Sequence, residues 1–255
     1  LKTFTKLELI EALKKIREMG WVPNARPGNS GGVGNTLEDL LGIVENNLPI
    51  PNASEWELKA QRLGTSSLTT LFHMEPSPRA IKFVPSLFLP KYGWRHKTIG
   101  DEKSFRQTIN AVSRTDRGFW IRVDRGDRKV VVSFDCKSVG EKHKEWLAEV
   151  ESKAGLGEIS PAPYWGFDDL FHKAATKLLN CFYIQAEVKK EAGLEYFHYT
   201  RISTLEGADF DKFLIGLERG YVFVDFDARS GHNHGTKFRM TQDKFAFFYK
   251  NVTHY

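Results

Sequence analysis

Pro51-Asn52-Ala53-Ser54-Glu55-Trp56-Glu57-Leu58-Lys59 is the stretch that decides how the chain reads. Glu57 and Lys59 stand two residues apart behind a Pro-Asn pair. In a strand, residues two apart leave the same face. A carboxylate and an ammonium would then sit side by side, with Glu55 in line behind them. Such a pair suits metal-assisted hydrolysis of a phosphodiester. The acid holds a hard cation such as Mg²⁺, and the lysine steadies the attacking water or the charge growing on phosphorus. Alone, the triplet is a weak signal, because charges alternate on the wet face of many strands.

Its surroundings strengthen it. Upstream, Gly31-Gly32-Val33-Gly34-Asn35-Thr36-Leu37-Glu38-Asp39-Leu40-Leu41-Gly42 reads as a glycine turn entering a short helix. Thr36 is the expected N-cap, with Leu37, Leu40 and Leu41 apolar and Glu38 off that stripe. Downstream, Leu68-Thr69-Thr70-Leu71-Phe72-His73 reads as a second strand, stopped by Pro76-Ser77-Pro78. Near the other end lies Ser230-Gly231-His232-Asn233-His234-Gly235-Thr236-Lys237-Phe238-Arg239.

The order of glycine turn, Glu-bearing helix, Pro-Asn, E-x-K strand and TLFH strand resembles the MvaI/BcnI group of type II restriction endonucleases. More distantly it is similar to the mismatch-repair nickase MutH. The histidine-rich segment resembles the one with which that group reads bases. The resemblance spans nearly the whole chain but is only motif-deep from about 95 to 215. It implies a PD-(D/E)XK core, a mixed central sheet flanked by helices, joined to a DNA-recognition lobe, with DNA in the cleft between lobes. The expected organisation is one restriction-endonuclease domain over 1–255, catalytic mainly in its first half and base-reading mainly in its C-terminal part.

Role by role, the resemblance places Glu57, residue 52 and the Leu58 carbonyl around Mg²⁺, Lys59 beside the attacking water, and Glu38 as an extra acid. Asn52 stands where the family pattern has aspartate. It is isosteric but uncharged, and should weaken metal binding and catalysis. Three explanations compete: a deliberate Asp→Asn change that traps uncut DNA, a natural variant rescued by Glu55 or Glu45, or a protein that binds without cutting. The first is favoured because the rest of the motif is intact. By the same resemblance Asp225, His232, His234 and Arg239 match base-reading positions, with Asp227 and Arg229 beside them. One family member carries arginine where Asp227 stands, and the loop before His232 is shorter here. His73 matches a histidine that reaches the central base pair in one relative; the bland alternative is a polar strand end. Asn35 and Arg62 are candidates for the DNA backbone. Donors such as arginine and histidine suit guanine, and aspartate suits cytosine N4, so a CC-x-GG type of target is expected. His232 and His234 could instead pair on a metal, but no third ligand lies nearby.

Length and composition agree with a soluble globular nuclease. The 255 residues are 41% hydrophobic and 27% charged, enough for a sizeable core. No run of 18 or more apolar residues suggests a membrane span, and the expected location is the cytoplasm. The chain opens on Leu1 without Met, as a trimmed start or a piece of a longer protein would. Cys136 and Cys181 lack metal-type spacing and read as reduced, buried thiols. A net charge of +5 permits a polyanionic partner without requiring one. Lys91, Arg95, His96 and Lys97 cluster with Tyr92 and Trp94. Arg114, Arg117, Arg122, Arg125 and Arg128 suit phosphates or, equally, a solvated face shared with Asp116, Asp124 and Asp127.

The rest of the chain reads as mixed α/β. Thr5-Lys6-Leu7-Glu8 is a capping box for a helix closed by Gly20. Phe119–Val123 and Lys129–Phe134 should form a hairpin, followed by a charged helix over 141–153. A helix from Phe167 to Asn180 should bury Phe167, Leu170, Phe171, Ala174 and Leu178. Strands are expected at Cys181–Val188 and Glu195–Thr200, a helix at Asp209–Arg219, a strand at Tyr221–Asp227 and a closing helix from Thr241. Gly155–Pro163 is the candidate seam between lobes.

These readings imply a Mg²⁺-dependent endonuclease cutting double-stranded DNA at a short G·C-rich site, as a monomer nicking each strand in turn. A DNA methyltransferase would protect the host as a functional rather than a physical partner. Alternatives are a sequence-specific DNA-binding protein without cleavage and a MutH-like repair nickase.

Overall fold

The computed structural model describes residues 4–29, 31–43 and 56–255. Asn52, Glu45 and Glu55 lie outside them. In chain order the elements are α1 (Lys6–Glu18), β1 (Val22–Pro23), α2 (Gly32–Leu41), β2 (Glu57–Arg62) and β3 (Thr69–His73). A π-helical segment, Val84–Tyr92, precedes β4 (Trp94–Arg95), β5 (Lys103–Ile109), β6 (Arg117–Asp124), β7 (Lys129–Val139) and α3 (Lys144–Ala154). Then come β8 (Tyr164–Gly166), α4 (Phe167–Leu178), β9 (Asn180–Glu191), β10 (Leu194–Ala208) and α5 (Phe210–Glu218). The chain ends with β11 (Val222–Arg229), β12 (His232–Met240), a 3₁₀ segment Gln242–Phe248 and β13 (Tyr249–His254).

Two compact units result, one of Leu1–Thr69, Ala174–Phe210 and Gln242–Tyr255, the other of Thr70–Lys173 and Asp211–Thr241. Gly155–Pro163, expected as a seam, therefore lies inside the second unit.

The first unit is built on a sheet of order β1-β10-β9-β2, with β13 added to β10. β2 runs parallel to β9, Glu57 opposite Cys181 and Lys59 opposite Tyr183. α1 begins as its sequence demands: Thr5 and Glu8 cap each other's backbone amides, and Leu9, Ile10, Leu13 and Ile16 form the buried face. Those residues join Val33, Leu37 and Leu41 of α2 and Leu58, Phe182, Ile184 and Tyr199 of the sheet in one core. Each such side chain contributes about 1.5–3 kcal/mol on burial. α2 starts a turn earlier than expected. Gly31 is its N-cap, and Thr36 is inside the helix, where its hydroxyl accepts from the Ala25 amide at 3.0 Å.

The second unit holds a sheet of order β3-β12-β11-β5-β4 and a three-stranded sheet β6-β7-β8. The hairpin around Asp124–Lys129 forms as expected. Aromatic residues fill the interior: Phe88 lies flat on Phe105, 4.6 Å between centroids, and meets Phe226 edge-on. Two expectations are corrected. Phe171 on α4 is 49% exposed rather than buried. The closing helix is a 3₁₀ segment that buries Phe245 and Phe248. After it the chain makes a strand, β13, whose outward pattern gave no alternation to read.

Candidate functional site

Parallel pairing with β9 sets β2 so that Glu57 and Lys59 share a face. Lys59 Nζ donates to Glu57 Oε1 at 3.1 Å. A second ammonium, absent from the sequence reading, donates to the other oxygen: Lys177 Nζ of α4 to Glu57 Oε2 at 3.2 Å. All three side chains are largely buried, with 9%, 12% and 16% exposure for Glu57, Lys59 and Lys177. One carboxylate thus faces two ammonium groups in a region of low dielectric, where charge–charge interactions are strong. Cys181 lies opposite Glu57, and burial pushes its thiol up to about 11. The Tyr249 hydroxyl donates to Cys181 Sγ at 3.1 Å, and burial raises that phenol well above its ordinary value.

Glu57 has the donor chemistry of a hard-cation ligand, and the two ammonium groups mark its carboxylate as a place where positive charge gathers. Among the described residues no group of three or more His, Cys, Asp or Glu is arranged to hold a metal. The Glu57 carboxylate has the oxygen chemistry that a divalent ion takes; residue 52, expected to add another ligand, lies outside the described residues. Glu38 is half-buried on α2, which packs on β2. Asn35 sits in the first turn of that helix. Arg62, a candidate for the DNA backbone, forks onto Glu195, with Nε 3.2 Å from Oε1 and Nη2 2.9 Å from Oε2.

In the second unit the histidine-rich segment closes the β11–β12 hairpin. Its register slips between Phe226 and Ala228. Gly235, at φ +79°, takes up the extra residue, a conformation other side chains rarely tolerate. Glu75 fixes the bulge by accepting from the Thr236 amide at 2.8 Å and its hydroxyl at 3.0 Å. His73 packs beside Gly235, bringing the TLFH strand to the reading segment. The His232 and His234 rings are exposed and meet edge-on, 4.3 Å between centroids.

Asp225, Asp227 and Arg229 project from one face of β11, where β5 and β12 flank them. Asp225 accepts from Thr108 Oγ1 at 2.9 Å and from Arg239 Nη1 at 3.1 Å. Asp227 lies 3.1 Å from Arg106 Nε and accepts from Lys237 Nζ at 3.3 Å. Arg229 donates to Glu102 at 2.7 Å. Arg106, Thr108 and Glu75 were missed from the sequence. The alternation of Phe105, Gln107 and Ile109 with Arg106 and Thr108 was the signal available for β5.

Four of the five scattered arginines turn out to be paired on the surface: Arg114 with Asp135, Arg122 with Asp124, Arg125 with Glu218 and Arg128 with Asp168. Arg117 stacks on Trp94, its guanidinium carbon 4.0 Å from the ring centre. The described residues contain no helix long and apolar enough to cross a membrane.

A mixed α/β fold with an E-x-K pair on a parallel strand is of the PD-(D/E)XK type, the class of many DNA-cutting enzymes. The model of the MvaI/BcnI restriction endonuclease family matches residues 10–249, and the chain belongs to that family. It is similar to the restriction endonuclease MvaI in its complex with cognate DNA substrate, at TM-score 0.80 and 25% identity over 99% of both chains. Against MvaI in the absence of DNA the TM-score is 0.54 at 24% identity, covering 100% of this chain and 99% of that one. No curated protein matches.

Proposed function

We propose that the chain is a type II restriction endonuclease that hydrolyses double-stranded DNA at a short, G·C-rich site of the CC-x-GG kind, with Mg²⁺ as cofactor. The observation that carries this is the Glu57 carboxylate, held between Lys59 and Lys177 on a strand of the family's fold. A divalent ion held by Glu57, the Leu58 carbonyl and residue 52 would supply Lewis-acid polarisation of the phosphate and an acidified water. Lys59 would orient that water for in-line attack and stabilise charge on the phosphoryl oxygens. Breaking the P–O3′ bond leaves a 5′-phosphate and returns a proton to the 3′-oxygen. Glu38 is assigned to orienting Lys59 or a water.

The first unit is read as the catalytic part and the second as the base-reading part. His73, Asp225, Asp227, Arg229, His232, His234 and Arg239 face the bases, and Asn35 serves the backbone. Arg62, forked onto Glu195, acts on the backbone only through that pair. The chain works as a monomer nicking each strand in turn, on DNA that a methyltransferase protects in the host.

Asn52 favours a second reading, a site-specific binder that does not cut. Plasmid incubated with Mg²⁺ at low salt, with the chain as it stands and with Asn52→Asp, separates the two. Discrete fragments from the Asp form alone identify an enzyme disabled at residue 52. Fragments from both mean that another acid completes the site. Site-specific binding with no cleavage by either form overturns the nuclease reading.

A further inference from the structure

The β11 face repeats one arrangement twice. At each rung an aspartate of β11 takes a donor from β5 on one side and a cation from β12 on the other. The first rung is Thr108–Asp225–Arg239, and the second is Arg106–Asp227–Lys237. Ladder register puts Thr108 directly beside Asp225 and Arg106 directly beside Asp227. In the second rung the carboxylate already has both cations, so the group as a whole is positive. Its most exposed member is Arg106, at 50%, against 30% for Asp227 and 19% for Lys237.

We propose that Arg106 reads a guanine of the target and that Asp227 is its positioning residue. This rests on the reading of the β11 face as base-reading. A lone aspartate would accept from cytosine N4. One engaged by two cations has a cation on each oxygen and little net negative charge left to offer, and the more exposed group, which can reach outward, is the guanidinium. A carboxylate docked on the Nε side fixes the plane of an arginine, and the terminal Nη pair is the fork that matches guanine O6 and N7. Holding that plane in the free protein lowers the ordering cost on binding. Lys237, the least exposed of the three, serves to hold Asp227 in place rather than to read.

The chain as it stands suits the test, which needs binding and not cleavage. A duplex pool randomised over the central base pairs is selected on the wild type. The preferred duplex is then titrated by anisotropy with each guanine replaced in turn by 7-deazaguanine, which lacks the N7 acceptor. The expected result is a penalty of about ten- to a hundredfold at one or more guanines for the wild type. At one of them the penalty vanishes in Arg106→Ala and in Arg106→Lys, whose single ammonium has no fork. Asp227→Asn should shrink that same penalty and leave the salt dependence of binding unchanged. The inference is overturned if Arg106→Ala keeps the wild-type penalty at every guanine while Arg239→Ala alters the profile, a result that leaves the base-reading face standing. It is also overturned if Arg106→Ala weakens all duplexes alike and reduces the salt slope by about one, the mark of a phosphate contact. A wild type that selects no sequence sinks the base-reading face and the inference together.

Discussion

Both units gather charge on a sheet, but they treat it in opposite ways. On β2 one carboxylate meets two ammonium groups, all three withdrawn from solvent. On β11 two carboxylates meet three cations and a hydroxyl in a ladder that opens to solvent from buried Asp225 toward half-exposed Asp227 and Arg106. Buried charges tolerate little change, because a partner lost leaves a desolvated ion behind. Exposed ones are screened and readily exchanged. The contrast suits the roles proposed. Phosphodiester chemistry is the same at every site and can be built into a fixed cluster, while a reading face must be open to substitution.

Cleavage should show the largest difference. In an Asn52→Asp background, Glu57→Gln should reduce the rate at least about 10³-fold on every substrate, since several kcal/mol of transition-state stabilisation go with the cation ligand. Arg239→Ala in the same background should change which sequences are cut, costing roughly ten- to a hundredfold on the preferred site. Single-turnover rates on a panel of duplexes check both. A Glu57→Gln defect that varied with sequence would erase the division between the units.

Stability gives the second measure. Glu57→Ala removes the carboxylate common to Lys59 and Lys177 and should cost about 3 kcal/mol. Asp227→Ala, at the half-exposed end of the ladder, should cost below about 1 kcal/mol. Urea denaturation of the two variants decides, and equal losses would mean that burial is not what distinguishes the clusters.

These clusters also differ in how much of each the sequence disclosed. Glu57 and Lys59 were legible because a strand's period of two carries them to one face. Lys177 was not, being 120 residues from Glu57 and inside a helix whose own pattern explained it. α1 was legible down to its cap because Thr5 and Glu8 act locally. Thr36 misled, since a glycine N-cap leaves no side-chain signal and a threonine a turn later looked like one. β9 runs past its expected end into charged, exposed Lys190 and Glu191, which carry little alternation, and β10 runs past its own into a consecutive buried run, Ile202, Ser203, Thr204 and Leu205, which does not alternate either. Asp225, Asp227 and Arg229 were nominated from the segment they belong to, but their partners on β5 came only with the ladder register. Residue 52, which the proposed mechanism assigns to the metal, lies outside the described residues.

A third experiment probes the contact that was missed. Lys177→Met withdraws one of two positive charges from Glu57, so a divalent cation should bind more tightly. A unit positive charge some 4 Å away opposes a divalent ion by up to roughly 8 kcal/mol at an effective dielectric of 20. The flexible lysine stem can swing that charge aside, so a gain of about tenfold in Ca²⁺ affinity is expected by calorimetry. Weaker Ca²⁺ binding in the variant would show that Lys177 organises the ligand rather than competing for it.

The smallest effect is expected where the arrangement around Glu57 recurs at the surface. Asp116 faces Lys142 at 2.8 Å and His143 at 2.9 Å, one acid and two basic groups as at Glu57. Hydrogen bonds from Lys142 and then His143 hold its carboxyl down to about 2. Its folded pKa is thus below the unfolded value of about 3.9, so its contribution is present above pH 4 and is lost as pH falls from about 4 to 2. The side chain is 47% exposed, and screening should cut that contribution to below about 1 kcal/mol. Asp116→Asn should therefore destabilise the protein slightly at pH 7, with the gap to wild type closing over that acid range. A loss at pH 7 as large as that of Glu57→Ala would mean that the number of partners, and not their burial, sets the value of such a cluster. A gap that stayed constant with pH would instead assign the loss to the geometry of the Asp116 loop rather than to its charge.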